Sequence, residues 1–302
     1  MITTHSLTKV YGTTTALDLV DLSVPDGAIY GLAGPNGAGK TTLLGILAGL
    51  RTPTSGEVRI EADPVEIAVL SDTPQFDRWL TGREVVSLAL ALVSPGSDSA
   101  RVDEVLAQTG LSEAAGRRVG GYSRGMLQRL GIAATLVARP RLLLLDEPAS
   151  ALDPQGRREV LDLIAQLRGS ATILFSSHIL ADVQEVCDTV GVLREGRLVF
   201  QGPLRDLLVG SAVPRYVIRV RSGAAGVAAK LGKARFVTAA EARDESSVVV
   251  EVTSLAEAET GLPKALADAG AAVVSFGPEE VSLERAFLAL TAPGPKKARA
   301  AR

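Results

Sequence analysis

The feature that most constrains this chain is a glycine-rich string, Gly34-Pro-Asn-Gly-Ala-Gly-Lys-Thr-Thr42, between a strand candidate and a helix candidate. Glycines let backbone N–H groups converge on a phosphate, and a helix N-terminus adds about half a positive charge. Lys40 would reach the β- and γ-phosphates, the Thr41 hydroxyl could ligate Mg²⁺, and Thr42 would lie against the α-phosphate. The string therefore predicts a nucleotide-phosphate loop rather than a plain glycine-rich turn.

Short apolar strand candidates alternate with amphipathic helix candidates over residues 1 to about 207. The strands are expected at 29–33, 67–70, 141–146 and 172–176, and the helices at 40–49, 125–138, 157–167 and 179–187. This alternation favours a mostly parallel core sheet wrapped by helices. Residues 190–194 and 197–201 flank Glu195-Gly196 and are expected to form a hairpin.

The pattern changes after a linker expected at 208–215. Residues 216–292 predict a small α+β domain without a catalytic motif, with strands at 216–221, 248–252 and 272–276 and helices at 255–269 and 283–290. Residues 293–302 contain four basic side chains and no acid, which indicates a disordered tail; weak adhesion to anionic lipid is the alternative.

Composition excludes several classes of protein. The net charge is -2, from 32 basic and 34 acidic residues, which argues against a nucleic-acid partner. The single cysteine, Cys187, excludes an internal disulfide and fits a reducing cytosol. The N-terminus lacks the features of a secretory signal, and no apolar run approaches the ~20 residues of a membrane span. Any membrane-embedded part is therefore expected on another chain.

A second set of candidate residues follows the apolar run 142–145. Asp146 suits a carboxylate that holds Mg²⁺ directly or through water, and Glu147 could orient and deprotonate an attacking water. Asp-Glu after an apolar run is by itself often only a polar strand terminus. The loop at 34–42 in the same α/β unit favours the catalytic interpretation.

The segment Tyr122-Ser-Arg-Gly-Met-Leu-Gln-Arg129 opens an amphipathic helix. Ser123 can cap this helix, and the N–H groups around Gly125 offer a second anion site. Taken alone, the segment is compatible with a helix cap and nothing more. One chain has no need of two phosphate sites for one nucleotide, so we interpret this segment as half of a composite site.

Taken in order, these motifs resemble those of the ATP-binding-cassette (ABC) ATPases over about residues 2–207. The ordered parts are Tyr11, the loop 34–42, Gln75, the segment from Tyr122, Asp146-Glu147, the segment Ser150-Ala-Leu-Asp153, and His178. The resemblance implies a P-loop NTPase of the α/β class, with a mostly parallel core sheet, an antiparallel β subdomain and a helical subdomain at about 76–138.

The resemblance also implies ATP and Mg²⁺ as ligands and assigns roles to single residues. Tyr11 would stack on adenine, Gln75 would sense Mg²⁺ and the γ-phosphate, and His178 would contact the γ-phosphate. The catalytic residues would be Glu147, His178 and Lys40, and the metal ligands Thr41, Gln75 and Asp146. The residues expected to bind ATP are Tyr11, Gly34, Pro35, Asn36, Gly37, Ala38, Gly39, Lys40, Thr41, Thr42, Gln75, Ser123, Gly125 and Asp153.

The chain departs from the usual pattern of the family at two places. The common signature Leu-Ser-Gly-Gly-Gln reads Tyr-Ser-Arg-Gly-Met here, which resembles ATPases of bacterial exporters that pair with ABC-2-type permeases. Arg124 would add charge near the phosphates. Residues 56–75 are short for the family, so antiparallel strands there are expected to be trimmed. Residues 282–291 resemble the closing helix of the domain appended to drug- and antibiotic-exporting members.

The resemblance implies two partners. One is a second copy, in a homodimer that holds each ATP between one copy's loop and the other's Ser123 segment. The other is a separate integral-membrane permease, which places the chain peripherally on the cytoplasmic face of the membrane. An exporter of drugs, antibiotics or other hydrophobic compounds is favoured. An importer ATPase and a non-transport ABC ATPase of DNA repair or translation are the alternatives.

Scarce aromatic residues cluster just after Gln75. Phe76, Trp79 and Leu80 lie on a polar loop, where burial in the helical subdomain and docking of a permease helix are equally compatible with the sequence.

Overall fold

The computed structural model describes residues 1–94, 96, 99–150, 152–210 and 214–279. Ala151, the closing helix expected at 283–290 and the basic tail expected at 293–302 lie outside the described residues. The chain folds into two compact units, the first ending at Asp206 and the second starting at Leu207. Across the described part of the chain, no helix is both long and apolar enough to cross a membrane.

The described residues contain the following elements of regular structure. The strands are β1 (Ile2–Tyr11), β2 (Thr14–Val20), β3 (Ser23–Val24), β4 (Ile29–Ala33), β5 (Ser55–Ile60), β6 (Ile67–Leu70), β7 (Leu142–Leu145), β8 (Thr172–Ser177), β9 (Thr189–Arg194), β10 (Arg197–Pro203), β11 (Arg215–Val220), β12 (Val237–Ala242), β13 (Ser247–Val252) and β14 (Val273–Pro278). The helices are α1 (Lys40–Leu47), α2 (Gly82–Val93), α3 (Ala100–Gln108), α4 (Arg124–Leu136), α5 (Pro154–Gln166), α6 (Leu180–Val186), α7 (Leu204–Gly210), α8 (Ala224–Leu231) and α9 (Leu255–Asp268).

The first unit is built on a six-stranded sheet of order β10-β9-β4-β8-β7-β6. Neighbouring strands from β9 to β6 pair in parallel, and β10 adds an antiparallel edge through the expected hairpin. Every residue of β4, β7 and β8 is buried, as in parallel sheets covered on both faces. The mostly parallel core sheet predicted from the sequence is confirmed.

An antiparallel sheet forms the second layer of this unit. β1 lies at its centre and pairs with β2, β3 and β5. Residues 56–75 contribute only β5 to this sheet, and the chain then passes through a short 3₁₀ turn into β6. Buried apolar side chains of β1 and β2 form one core with α1 and with the strands β4, β7 and β8. Side chains of α1 therefore share one core with both sheets.

The helices α2, α3 and α4 lie in the part of the chain predicted as a helical subdomain. Thr81 caps α2: its hydroxyl accepts the N–H of Glu84 at 3.2 Å, and the Glu84 carboxylate accepts the Thr81 N–H at 2.7 Å. α4 begins at Ser123, whose hydroxyl accepts the N–H of Met126 at 3.2 Å. The predicted cap of this helix is therefore present.

The second unit is a four-stranded antiparallel sheet of order β12-β13-β11-β14 whose core includes side chains of α8 and α9. The expected strands at 216–221, 248–252 and 272–276 correspond to β11, β13 and β14, whereas β12 and α8 are additional. α7 runs to Gly210 and β11 begins at Arg215, so both ends of the segment expected as a linker lie in regular structure. The α+β class predicted for this part of the chain agrees with the sheet and helices.

Candidate nucleotide-binding site

The glycine-rich loop connects β4 to α1, and its backbone requires glycine at two positions. Gly37 and Gly39 have φ values of 80° and 107°, in the region that favours glycine. A Cβ on Gly39 would collide with the carbonyl oxygen of Ala16, and one on Gly34 with that of Leu193. The loop therefore lies directly against neighbouring backbone, which leaves no room for other residues at these places.

Lys40, the first residue of α1, has its ammonium group beneath this loop. Its Nζ donates to the carbonyl oxygens of Gly34 at 2.7 Å and Pro35 at 3.2 Å, and lies 3.1 Å from Oε1 of Glu147. The Lys40 side chain is only 6% exposed. The structure thus brings together the lysine and the carboxylate that the sequence predicted as parts of one site.

The other residues of the predicted loop differ in exposure. Pro35, Asn36 and Thr41 are exposed, whereas Ala38 and Thr42 are buried. Thr41, an exposed residue, follows Lys40 at the N-terminus of α1. It is therefore accessible to a ligand at the loop, as a metal-ligating hydroxyl requires.

The two acidic residues after β7 are joined through a residue that the sequence analysis missed. Ser176 is fully buried near the end of β8; its hydroxyl donates to Oδ1 of Asp146 at 2.6 Å and accepts the N–H of Glu147 at 2.9 Å. Leu145 pairs in register with Phe175, which places the next residues of both strands side by side. The only signal in the sequence was a pair of serines at the end of an apolar strand.

Glu147 is held in an unusual backbone conformation by several contacts. Its φ is 47°, a left-handed value that is strained for a residue other than glycine. One carboxylate oxygen faces Lys40, while the other lies 2.8 Å from Nδ1 of His178 and accepts the His178 N–H at 3.3 Å. The Glu147 carboxylate is thus fixed between a lysine and a histidine at the carboxyl edge of the sheet.

Tyr11 and Gln75 lie at the surface. Tyr11 ends β1 and is 43% exposed; its hydroxyl accepts a hydrogen bond from Nη1 of Arg51 at 3.0 Å, and Nζ of Lys9 is 4.9 Å from the ring centroid. Gln75 is exposed on the loop after β6. Because β6 ends beside β7, with Leu70 opposite Leu145, this loop leaves the same edge of the sheet as Asp146.

Ser123, Gly125 and Asp153 contribute to a different place, a groove of about 470 Å³ that we call the α4–α5 groove. Its lining residues are Ser123, Arg124, Gly125, Arg129, Leu152, Asp153, Gln155, Gly156 and Glu159. Asp153 also caps α5, because its carboxylate accepts the N–H of Gly156 at 2.9 Å. Among the described residues, no hydrogen bond or ion pair joins these three residues to the loop 34–42. One chain therefore carries two separate candidate phosphate sites.

The residues predicted to hold Mg²⁺ are oxygen donors, which is the chemistry that this ion prefers. Asp146 is 7% exposed and has one carboxylate oxygen bound by Ser176. No cluster of three or more His, Cys, Asp or Glu residues that could hold a metal ion occurs in the described ranges. Mg²⁺ commonly keeps waters and phosphate oxygens as ligands, so one carboxylate, hydroxyls and a nucleotide suffice.

Comparisons with known proteins give the family. The model of the ABC transporter family matches residues 17–150. An uncharacterized ABC transporter ATP-binding protein, YxlF of Bacillus subtilis (strain 168), is 36% identical over 294 residues, which cover 95% of this chain and 98% of that protein. The daunorubicin/doxorubicin resistance ATP-binding protein DrrA of Streptomyces peucetius is 34% identical over 304 residues, covering 96% of this chain and 92% of that protein.

Other relatives match over a shorter part of the chain. The bacitracin transport ATP-binding protein BcrA of Enterococcus faecalis is 38% identical over 218 residues, covering 68% of this chain and 70% of that protein. Among solved structures, a dimeric bacterial ABC transporter cassette matches with a TM-score of 0.63 and 26% identity, covering 68% of this chain and 99% of that chain. The resemblance inferred from the motifs is confirmed, and the chain belongs to the ATP-binding ATPase subunits of the ABC transporter family.

Proposed function

We propose that this chain is the ATP-hydrolysing subunit of an exporter of drugs, antibiotics or other hydrophobic compounds. The extent of the matches supports this assignment. Relatives named for daunorubicin resistance align over 96% of the chain and hence over both units, whereas those named for bacitracin and lantibiotic transport align over 68% and 67%. An appended second unit is therefore shared with proteins named for drug resistance.

The observation that carries the hydrolytic function is the position of the Glu147 carboxylate. It lies at the end of β7, held by Lys40 at 3.1 Å and by His178 at 2.8 Å. In the proposed reaction the phosphates of ATP lie on the loop 34–42, and Glu147 orients the attacking water and accepts its proton. A general base of this kind contributes typically ~10²–10⁴-fold to the rate. His178 keeps the carboxylate aimed at the loop and lies within reach of the γ-phosphate.

Mg²⁺ would be held by Asp146, by the hydroxyl of Thr41 and by Gln75, together with phosphate oxygens. When bound, it neutralises phosphate charge. Ser176 orients one oxygen of Asp146, so we assign this serine a positioning role. Tyr11, exposed at the end of β1, is proposed to stack on adenine.

We further propose that the working unit is a head-to-tail homodimer. The α4–α5 groove and the loop 34–42 are separate in one chain, and a two-fold axis would let each copy's Ser123 segment complete the partner's ATP site. Asp153 lines the same groove and would lie at the same interface. Solved relatives with dimeric cassettes support this arrangement.

The proposed membrane partner is an integral-membrane permease of the ABC-2 type, with this chain bound peripherally on the cytoplasmic face. Trp79 supports the docking alternative for the aromatic cluster, because its side chain is 66% exposed. The backbone around it is held by hydrogen bonds from Val119 to Leu80 at 2.8 Å and from Gly120 to Arg78 at 3.0 Å. An exposed tryptophan on a backbone held in this way is the type of residue that dominates protein interfaces.

Docking is tested by co-purification of the tagged chain with the permease encoded beside it. Trp79→Ala should reduce the permease recovered by at least ~10-fold if the indole is an interface anchor. Leu50→Ala removes another exposed apolar side chain, 73% exposed, and should recover as much permease as the parent. Equal recovery with Trp79→Ala and the parent would refute docking through Trp79.

Transport direction separates the exporter from its alternatives. Inside-out vesicles carrying the chain and its permease should accumulate a drug such as daunorubicin when ATP is added, and Glu147→Gln should abolish accumulation. ATP-driven loss of a preloaded solute would instead indicate an importer. A chain that recovers no membrane partner would belong to the non-transport class.

A further inference from the structure

An ion pair between Arg157 and Asp182 is largely buried in the first unit, and neither residue takes part in the proposed reaction. Arg157 lies near the start of α5, and Asp182 lies in the first turn of α6. Nε and Nη2 of Arg157 both face Oδ1 of Asp182, whose side chain is only 3% exposed. The cost of removing two charges from water offsets much of their attraction, so stability alone does not explain this pair.

Asp182 holds the backbone on both sides of His178, in the connection between β8 and α6. The hydroxyl of Ser177 is shared between Oδ2 of Asp182 at 3.4 Å and the carbonyl oxygen of Ile179 at 3.2 Å. The same hydroxyl accepts the N–H of Ile179 at 3.0 Å. The N–H of Asp182 donates to the carbonyl oxygen of Ile179 at 3.1 Å. The two neighbours of His178 in the chain are therefore both tied to Asp182.

Arg157 follows Glu147 in the chain, after the connection between β7 and α5. The N–H of Arg157 donates to the carbonyl oxygen of Asp153 at 2.9 Å, which fixes Arg157 in the first hydrogen-bonded turn of α5. Glu147 lies 2.8 Å from Nδ1 of His178, and Arg157 contacts Asp182. The segment that follows β7 and the segment that follows β8 are therefore joined at two places, one within the candidate site and one outside it.

We propose that Arg157 and Asp182 form a positioning pair that holds His178 against Glu147 during ATP hydrolysis. This inference rests on the proposed roles of Glu147 and His178. A segment held by one contact can turn about that contact, whereas a second contact removes this freedom. A misplacement of about 1 Å at the reacting groups can cost ~10²-fold in rate. The pair acts through His178 and not through the nucleotide, so it affects the rate of hydrolysis and leaves the binding of ATP unchanged.

The test is a double-mutant cycle on the full chain, with the parent, Asp182→Asn, His178→Ala and the variant that carries both substitutions. Asparagine keeps the size of the side chain but removes the charge that faces Arg157. Asp188→Asn is the matched control, because the ion pair of Asp188 with Arg168 joins residues that follow the same two helices at their other ends. Phosphate release from radiolabelled ATP keeps low rates measurable, and urea unfolding gives the stability of each variant.

Asp182→Asn should lower kcat by about 10- to 100-fold and leave KM for Mg-ATP within ~2-fold of the parent value. In the His178→Ala background the same substitution should change kcat by less than ~2-fold, because the residue through which the pair acts is gone. Arg157→Lys keeps a positive charge beside Asp182 but not the planar fork, so its kcat should lie between those of the parent and Asp182→Asn. Asp188→Asn should match the parent in kcat.

Three results would overturn the proposal. An equal loss of kcat from Asp182→Asn with and without His178 shows that the pair does not act through His178. A raised KM with unchanged kcat assigns the pair to nucleotide binding instead. Unchanged turnover in His178→Ala refutes the role of His178 on which the inference rests, whatever Asp182→Asn does. If Asp182→Asn does not fold, Arg157→Lys takes its place in the cycle and is judged by the same three results.

Discussion

Replacing Glu147 by glutamine separates two roles that one carboxylate performs in this structure. The carboxylate is the proposed base, and it is also the charge partner of Lys40 at 3.1 Å. Glutamine keeps the shape and can still pair with His178, but it neither accepts the proton of water nor neutralises Lys40. We therefore expect the variant to lose ATPase activity, to bind ATP more tightly and to accumulate as a closed dimer.

The expected gain in ATP affinity follows from the buried ion pair between Lys40 and Glu147. At 3.1 Å the attraction between Lys40 and Glu147 is about 5 kcal/mol at an effective dielectric constant of ~20, before the desolvation of both groups is subtracted. Lys40 keeps two carbonyl acceptors after the substitution. Loss of one partner of a buried pair costs ~3–5 kcal/mol, and these carbonyls place the expected cost at about 3 kcal/mol. Phosphate oxygens would restore the missing charge, so about 10-fold tighter ATP binding is expected, or ~1.4 kcal/mol.

Two assays measure these effects on one preparation. Turnover of Mg-ATP should fall by ~10²–10⁴-fold, the usual contribution of a general base. Without nucleotide, the variant should unfold at a lower temperature than the parent. ATP should raise the midpoint of thermal unfolding more in the variant than in the parent. Glu104→Gln makes the same chemical change at an exposed carboxylate 2.7 Å from Arg101, and it should alter neither the turnover nor the ATP-induced shift of the midpoint. Turnover within ~3-fold of the parent would refute Glu147 as the base, and an equal ATP-induced shift would refute its competition for Lys40.

Four further substitutions address other parts of the structure. Ser176→Ala removes a fully buried hydroxyl with two hydrogen-bonding partners. The free energy of unfolding, measured in urea, should fall by ~1–3 kcal/mol, and Mg²⁺-dependent turnover should fall as well. Unchanged values of both quantities would contradict the positioning role of Ser176. Gly131→Ala puts a methyl group against neighbouring side chains and should lower the free energy of unfolding by ~1–3 kcal/mol. Gly226→Ala in α8 places its methyl group where no atom lies within 4 Å and should raise the free energy of unfolding by ~0.5–1 kcal/mol. A change in the same direction for both variants would contradict this reasoning. Hydrogen bonds from the Thr81 N–H and hydroxyl lower the pKa of Glu84 in the folded state. The stability that the Glu84 carboxylate contributes is therefore complete above its pKa in the unfolded chain, and it is lost as the pH falls through its pKa in the folded chain. Glu84→Gln should lack that part of the acid-induced decline in urea titrations below neutral pH.

The core sheet could be predicted because its strands are continuous apolar runs. Residues 29–33 and 67–70 form strands with the expected bounds, and Leu142–Leu145 is only slightly shorter than expected. The antiparallel strand β1 was not located, since its ten residues are rich in threonine and only some of them are buried. α8 lacks a polar cap and begins after Gly223 at a φ of 75°, so its start has no sequence signal beyond a glycine.

Lys40, Asp146, Glu147 and His178 were candidates from the sequence alone, whereas Ser176 and the way in which these residues meet could not be predicted. β8 lies between β4 and β7 in the sheet, a neighbour relation that no local pattern encodes. This order places Ser176 beside Asp146 and brings His178 to Glu147. A buried serine has no distinctive sequence pattern, and its role becomes visible only when strand pairing gives it two hydrogen-bonding partners.

The distribution of charge gives a physical reason for the proposed division of one ATP site between two chains. The site at the loop contains two carboxylates and one ammonium group, those of Asp146, Glu147 and Lys40. A bound nucleotide therefore adds negative charge to a site with an excess of acidic groups. Mg²⁺ offsets part of this charge, and the remainder favours a cation supplied from elsewhere. Within the described residues of the α4–α5 groove, Arg124 is the cation without a partner, and it lies at the positive end of a helix. In the proposed homodimer, this distribution of charge would draw the loop of one copy to the groove of the other while the γ-phosphate is present, and the attraction would weaken after hydrolysis.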